Sequence, residues 1–311
     1  MIGVWELSII EFSDSYLVRG VILCNPLPSI AIDNSWFKSA RYVIKSYLRK
    51  PLSQEDILVN RVIPAQTATD GSFELRIDKN ELKEGIQISY ENRVLPHLQQ
   101  YPLLFQYNDE KLLVISDIDE TILQSFTSKA FKRITTTLFK SINKRRPIDF
   151  TRSLYAFFEE RGARFFYVSK SESNLFQIIT GFISKNGLPR GALFLTGYLN
   201  LKGLLKNRKE KNFKLKQIER IITQLPGKKF VLIGDDSQRD PVIYSSLAKK
   251  YEKQIAAVYI RRTRSKIAKP HSLDQQYIDN TEVPLITFRH NQQFSELFVT
   301  KEGNIFKESE K

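Results

Sequence analysis

The sequence predicts an α/β fold, a parallel sheet covered by helices, preceded by a small β-sandwich domain. Three observations predict it. From Lys111 onward, runs of β-branched and aromatic residues alternate with helical stretches, as in successive βαβ units. Before residue 108 the chain instead holds short strand-like runs with a single helical stretch among them. In the second part, carboxylates and hydroxyls stand just after several strands, the end of an open α/β sheet at which ligands bind. The expected division is residues 1–108 for the β domain, 109–272 for the α/β domain and 273–311 for a C-terminal extension.

In the β domain, Tyr16 to Leu23 and Ile86 to Tyr90 read as strands. Asp70-Gly71 is a hairpin-type turn, since glycine tolerates positive φ, and Phe73, Leu75 and Ile77 then fall on one face at period two. One helix interrupts the domain. Trp36, Ala40, Val43, Ile44, Tyr47 and Leu48 recur at helical spacing as its apolar face, with Lys38, Arg41, Lys45 and Arg49 on another. Two readings of this basic amphipathic helix stay open: a membrane-surface contact, or a helix packed on its own sandwich with a solvated cationic face.

In the α/β domain the expected strands are Leu112 to Ser116, Arg164 to Val168, Ala192 to Leu195, Lys229 to Ile233 and Ile255 to Ile260. Asp149 can cap a helix from Phe150 to Glu160 that Gly162 closes, and Gly187 follows another ending at Asn186. A third begins near Phe213, carries Ile218, Ile221, Ile222 and Leu225 as its apolar stripe, and stops at Pro226-Gly227. Beyond Pro270, Pro284 to Phe288 is strand-like, Gln292 to Phe298 helix-like, and Gly303 to Lys311 is expected to fray.

Composition narrows the function classes. With 41% hydrophobic residues in 311, the chain can bury a sizeable core. Its net charge of +14 suits phosphorylated substrates, anionic lipid or nucleic acid. Cys24 is the single cysteine, which excludes an internal disulfide framework and a zinc ribbon and makes a reducing, cytoplasmic compartment the expectation. No run reaches the roughly 18 apolar residues of a membrane span, and the start has no secretory-leader pattern, so any membrane contact is expected to be peripheral. His97, His271 and His290 have no metal-ligand spacing, and no Walker or Rossmann glycine pattern occurs. No Arg/Lys-aromatic recognition motif stands out, so nucleic acid is not expected as a partner.

The strand Leu112 to Ser116 runs directly into Asp117-Ile118-Asp119-Glu120-Thr121. Residues i and i+2 of an extended strand point the same way, so Asp117 and Asp119 can both reach one phosphorus atom. One can attack while the other handles the proton. Ser169 ends a second strand, Gly234-Asp235-Asp236-Ser237-Gln238-Arg239-Asp240 follows a third, and Lys214 projects from the start of the helix after Phe213. Singly, an Asp-x-Asp fits a solvated turn and Gly-Asp-Asp fits a helix cap. Together, in this order, they describe a phosphoryl-transfer site.

The set resembles the haloacid dehalogenase superfamily, a Rossmann-like phosphatase fold defined by a DxDxT-type strand, a Ser/Thr strand, a Lys and an acidic loop. More narrowly, Ile115 to Ile122, Phe166 to Ser169, Gly187-Leu188-Pro189-Arg190-Gly191 and Gly234 to Tyr244 are similar to the catalytic domain of the actin-patch-protein type of phosphatidate phosphatase. The resemblance covers roughly residues 90 to 265, and Thr69 to Phe73 is similar to the β-sandwich that precedes this domain in bacterial members. Two departures stand out. Glu120 replaces the usual Asp, and Lys170-Ser171-Glu172 replaces the usual Asn-Ser-Pro after the serine.

The resemblance implies that Asp117 is the nucleophile and Asp119 the acid and base, with Ser169, Lys214 and Thr121 holding phosphoryl oxygens. It implies Mg2+, bound through Asp117, the Asp119 carbonyl and Asp235. Asp240 is the further acidic-loop ligand or orienter, with Asp236 as its alternative. The implied substrate is phosphatidate; a soluble phosphate ester handled by the same chemistry is the alternative, and a non-catalytic anion-binding module the third reading. Residues 122–148 fall where this superfamily inserts a cap. They are short and basic, and Lys129, Lys132, Arg133, Lys144, Arg145 and Arg146 are the expected membrane-facing positions, with phosphatidate or another anionic phospholipid as the partner. A packed cap helix with a solvated cationic face remains the alternative there.

Overall fold

The computed structural model describes residues 1–28, 36–81, 85–107, 109–118, 149–200, 212–236, 239–262 and 281–288. Asp119, Thr121, the basic segment 122–148 with its six membrane-facing candidates, and the expected helix Gln292 to Phe298 lie outside them. The described chain divides into two compact units. The first holds Met1–Asp109 together with Ser169–Phe213, and the second holds the segments from Glu110, from Arg146 to Val168, and from Lys214 onward. This grouping differs from a single boundary at 108, because the stretch from Ser169 to Phe213 goes with the N-terminal part.

Within Met1–Asp109 of the first unit the strands are β1 (Ile2–Glu11), β2 (Ser15–Cys24), β3 (Lys50–Pro51), β4 (Asp56–Val59), β5 (Ile63–Gln66), β6 (Ser72–Asp78), β7 (Ile88–Tyr90), β8 (Arg93–Val94) and β9 (Leu104–Phe105). They form two sheets. One has the order β3-β2-β1-β9 with β6 also paired to β2, and the other the order β5-β4-β7-β8. Val4, Leu7, Val18, Ile22, Phe73 and Ile77 of the first sheet share one buried cluster with Ile57, Val59 and Ile88 of the second. Alternating strands with one apolar face each produce such a sandwich.

Gly71 has a φ of +75° and closes its turn with its N–H on the Ala68 carbonyl, 2.9 Å away. A Cβ there would also meet the Ile22 carbonyl oxygen at 2.5 Å. The turn does not close a hairpin, however. It carries the chain from β5 in one sheet to β6 in the other, where Phe73 and Ile77 are buried and Glu74 and Arg76 exposed.

Helix α1 (Trp36–Tyr47) is present, and its buried face keeps Val43 and Tyr47 of the expected set but not Ile44 and Leu48. Tyr42, Val43, Ser46 and Tyr47 point inward, while Ile44 and Leu48 are exposed. Two of the hydroxyls on the inward face are used. The Tyr42 hydroxyl donates to the Pro28 carbonyl at 3.0 Å, and the Ser46 hydroxyl to the Val43 carbonyl at 2.7 Å. Hydrogen-bonded polar groups bury without a large penalty, so the helix turns its aromatic side in.

The second part is built on β10 (Leu112–Ser116), β11 (Arg164–Glu172), β12 (Gly191–Thr196), β13 (Lys229–Asp235), β14 (Ile255–Arg261) and β15 (Leu285–Phe288), in the sheet order β12-β11-β10-β13-β14-β15. The pairings of β10 with β11 and β13, of β13 with β14 and of β14 with β15 are all parallel. The strand-like run near Phe288 thus extends this sheet. The fold is α/β with a parallel sheet, and it is accompanied by an antiparallel β-sandwich. Helices α2 (Asp149–Glu160), α3 (Phe176–Lys185), α4 (Phe213–Gln224) and α5 (Asp240–Lys250) occupy the intervals. Among the described residues, no helix is long and apolar enough to cross a membrane.

Candidate active site

β11 leaves β10 on one side and β13 pairs with it on the other, so the strand order reverses at β10. Ligands of open parallel sheets bind outside the carboxyl ends of strands at such a switch point. Asp117 follows the last residue of β10 and Asp235 is the last residue of β13, and Ser116 and Ile233 face each other across the two strands. The Asp117 N–H donates to the Ile233 carbonyl at 2.9 Å, extending the ladder by one bond and fixing the backbone of Asp117.

Lys214 lies in the first turn of α4, whose Ile218, Ile221, Ile222 and Leu225 are all buried in the core. A cation there opposes the helix dipole, so something else must hold it. Its ammonium lies 2.8 Å from Asp117 Oδ1 and 2.7 and 3.0 Å from the two carboxylate oxygens of Asp240. All three side chains are almost entirely removed from solvent. Burial alone would lower the lysine's pKa, but Asp117 and Asp240 outweigh it and raise the value above the ordinary lysine range. Lys214 is therefore a fixed positive charge.

Asp240 opens α5 with Pro241 behind it, yet it does not cap the helix. Arg239 occupies the cap position without a side-chain hydrogen bond. Gly234 makes room for this arrangement, since a Cβ would stand 2.7 Å from Asp240 Oδ2 and 2.8 Å from the Tyr244 ring. Asp236, the alternative to Asp240, is held differently: its N–H donates to the Arg261 carbonyl at 3.1 Å and its carboxylate lies 3.9 Å from the Arg262 guanidinium.

Two tyrosines and a serine complete the surroundings, and sequence reasoning assigned them no role. Ser116 and Tyr155 share a hydrogen bond, and the Ser116 hydroxyl also donates to the Asp117 carbonyl at 3.0 Å. The Tyr244 hydroxyl donates to the Ile233 carbonyl, 3.1 Å away, which also receives the Asp117 N–H. Burial and then the carboxylates of Asp240, Asp117 and Asp235 push Tyr244 well above its ordinary pKa, so it stays neutral. Tyr244 stands four residues after Asp240, one helical turn along α5, and that spacing was the available signal.

Asp117, Lys214, Asp235 and Asp240 are thus all buried in the second unit. Ser169 belongs to the first unit, on the outgoing half of β11, where its buried hydroxyl accepts the Ser171 N–H at 2.9 Å.

Residues 112–262 match the family model described as "Phosphatidate phosphatase APP1, catalytic domain". That segment is similar to this phosphatase catalytic domain. The chain is also 25% identical over 217 residues to phosphatidate phosphatase APP1 of Saccharomyces cerevisiae, covering 68% of this chain and 37% of the yeast protein. An uncharacterized protein of Schizosaccharomyces pombe is 24% identical over 212 residues, with 67% and 33% covered. The chain therefore spans about a third of the length of the curated relatives it matches. Among solved structures, apo phosphoserine phosphatase superposes with a TM-score of 0.39 at 16% identity, covering 61% of this chain and 99% of that one. A class C acid phosphatase from Bacillus anthracis gives 0.27 at 19% identity, with 47% and 65% covered. The α/β assignment rests on the strand order rather than on these loose superpositions.

Proposed function

We propose that the chain is a Mg2+-dependent phosphatase that hydrolyses phosphatidate to diacylglycerol and phosphate through an aspartyl-phosphate on Asp117. The observation that carries the chemistry is the buried Asp117–Lys214–Asp240 set beside Asp235 at the switch point. The lipid substrate is supported by the family match and by the name of the yeast relative.

In this scheme a carboxylate oxygen of Asp117 attacks phosphorus and the ester P–O bond breaks, with Asp119 giving its proton to the departing oxygen. Water then attacks the same phosphorus, returns a proton to Asp119 and releases Asp117. Lys214, held as a cation 2.8 Å from Asp117, screens the phosphoryl charge. Asp240 directs both oxygens at Lys214, so its role here is to position the lysine rather than to hold metal. Ser169 and Thr121 are assigned to phosphoryl oxygens on the family pattern.

The residues present fit a divalent cation. Asp117 and Asp235 set two buried carboxylates at neighbouring strand ends, the hard oxygen donors that such an ion takes. Among the described residues no three acidic, histidine or cysteine side chains form a closed metal cage. Mg2+ needs none, since it is commonly held by one or two carboxylates and keeps several waters. Asp117 and Asp235, with the Asp119 carbonyl, would hold it, and it would neutralise charge on the phosphate.

The test is phosphate release from phosphatidate in mixed micelles against a panel of soluble esters, with and without Mg2+. Phosphatidate is expected to be preferred, and activity to vanish on chelation. A preference for soluble esters overturns the lipid assignment and leaves the chemistry. Mg2+ should also raise the thermal midpoint of the wild type and raise that of Asp235→Asn less, a readout independent of turnover.

A further inference from the structure

Ile44 and Leu48, on the outward side of α1, are exposed. On the inward side, Tyr42 stacks on Trp5 with ring centroids 6.0 Å apart, the Tyr198 hydroxyl donates to the Ser46 carbonyl, and Val43 and Tyr47 are buried. The helix is fixed by that side. On the outward side, Arg41, Ile44 and Lys45 follow one another at i, i+3 and i+4, and Leu48 continues that spacing in the turn just past the helix end, where its N–H donates to the Lys45 carbonyl at 3.2 Å. Ile44 is 48% exposed and Leu48 59% exposed, so two branched apolar side chains one turn apart lie open to water. Among the described residues, the other strongly exposed apolar side chains, Met1, Val62, Val94, Leu104 and Val242, stand apart in the sequence, as is ordinary for a protein surface.

The charge along this stretch of chain is of one sign. From Trp36 to Lys50 the chain carries Lys38, Arg41, Lys45, Arg49 and Lys50 and no carboxylate. Cations and branched apolar side chains sharing one face of a helix suit the plane where a bilayer passes from phosphate to acyl chain. There the apolar groups enter and the cations meet lipid phosphates. We infer that the Arg41–Ile44–Lys45–Leu48 face of α1 docks the protein on an anionic lipid surface. An acidic protein partner would also meet the cations; the choice of lipid rests in part on the phosphatidate reading above. The docking is reversible, because two partly inserted side chains and a few cations give modest affinity, and it weakens as salt screens the cations.

Flotation of the full chain with phosphatidylcholine vesicles, with and without phosphatidylglycerol, tests this. Phosphatidylglycerol separates docking from catalysis, since it is not the proposed substrate. Basic segments outside the described residues also attract such vesicles, so the variants decide. Leu48→Glu and Ile44→Glu should each cut partitioning onto anionic vesicles by about tenfold, as expected for withdrawing part of an apolar side chain from the membrane. Lys45→Gln should cut it about fivefold, and all three should keep the wild-type thermal midpoint. Variants that bind as the wild type does overturn the inference. So does a concentration-dependent dimer that Leu48→Glu abolishes while vesicle binding is unchanged, because the face would then join two copies of the chain. A protein that docks through α1 yet spares phosphatidate contradicts the substrate reading alone.

Discussion

In the second unit Asp117, Asp235 and Asp240 are buried beside Lys214, whose ammonium lies within 3.0 Å of two of them. In the first unit Glu6 is equally buried, but its near neighbours are of another kind. The Ser173 hydroxyl donates to its carboxylate, Trp5 Nε1 donates to the Ser173 carbonyl at 2.9 Å, and Gln177 donates to the Trp5 carbonyl at 3.1 Å. Burial raises the pKa of Glu6 from its ordinary 4.5, with Arg19 and the Ser173 bond opposing. One cluster holds a lysine as a cation between two carboxylates, while the other raises the pKa of a carboxyl by burial and stitches segments together with hydrogen bonds. Charge retained at strand ends of a switch point marks chemistry; a carboxyl pushed toward neutrality inside a hydrogen-bond network marks architecture.

The largest difference should emerge when a partner is removed. Lys214→Met leaves two carboxylates buried without their cation and should cost about 3–5 kcal/mol in denaturant unfolding, besides abolishing turnover. Adding Asp240→Asn should recover part of that cost, because the two residues act as one unit. If the double variant is as unstable as the sum of the singles, the pairing does not carry the energy assigned to it.

Gly234→Ala comes next. Its methyl would meet Asp240 Oδ2 and the Tyr244 ring at under 3 Å, so Asp240 must shift, at a cost of about 1–3 kcal/mol. Turnover should fall more than the thermal midpoint suggests, since the shift disturbs the grip on Lys214. A variant with unchanged kcat would detach Asp240 from catalysis.

The smallest effect is expected at Glu6, and it has a sign. A carboxyl whose pKa is raised on folding contributes stability that is complete below 4.5 and is lost as pH rises through its folded value. The wild-type midpoint should therefore decline over that range, and Glu6→Gln should decline less while keeping activity at neutral pH. A steeper decline in the variant would contradict the comparison.

Much of this was legible in the chain itself. The apolar run Leu112 to Ser116 ending in Asp117, and the run Phe230 to Ile233 ending before Asp235, located both strand ends. Lys214 followed from the isoleucine stripe behind it. What the sequence could not supply were matters of pairing between distant segments. The grouping of Ser169 to Phe213 with the β domain depends on bonds such as that of Trp5 with Ser173. The inward face of α1 depends on Pro28, whose carbonyl takes the Tyr42 hydroxyl, and on Tyr198, whose hydroxyl donates to the Ser46 carbonyl, and periodicity sees neither. The roles of Ser116, Tyr155 and Tyr244 arise only once β10 and β13 lie side by side.

The most direct test is to quench the enzyme in acid during turnover with Mg2+ and locate any bound phosphoryl group by mass spectrometry. The account predicts one phosphoryl group on the peptide carrying Asp117, absent from Asp117→Asn, which should lose on the order of 10⁴-fold in turnover or more. A phosphoryl group on another residue, or substantial turnover by Asp117→Asn, would contradict it.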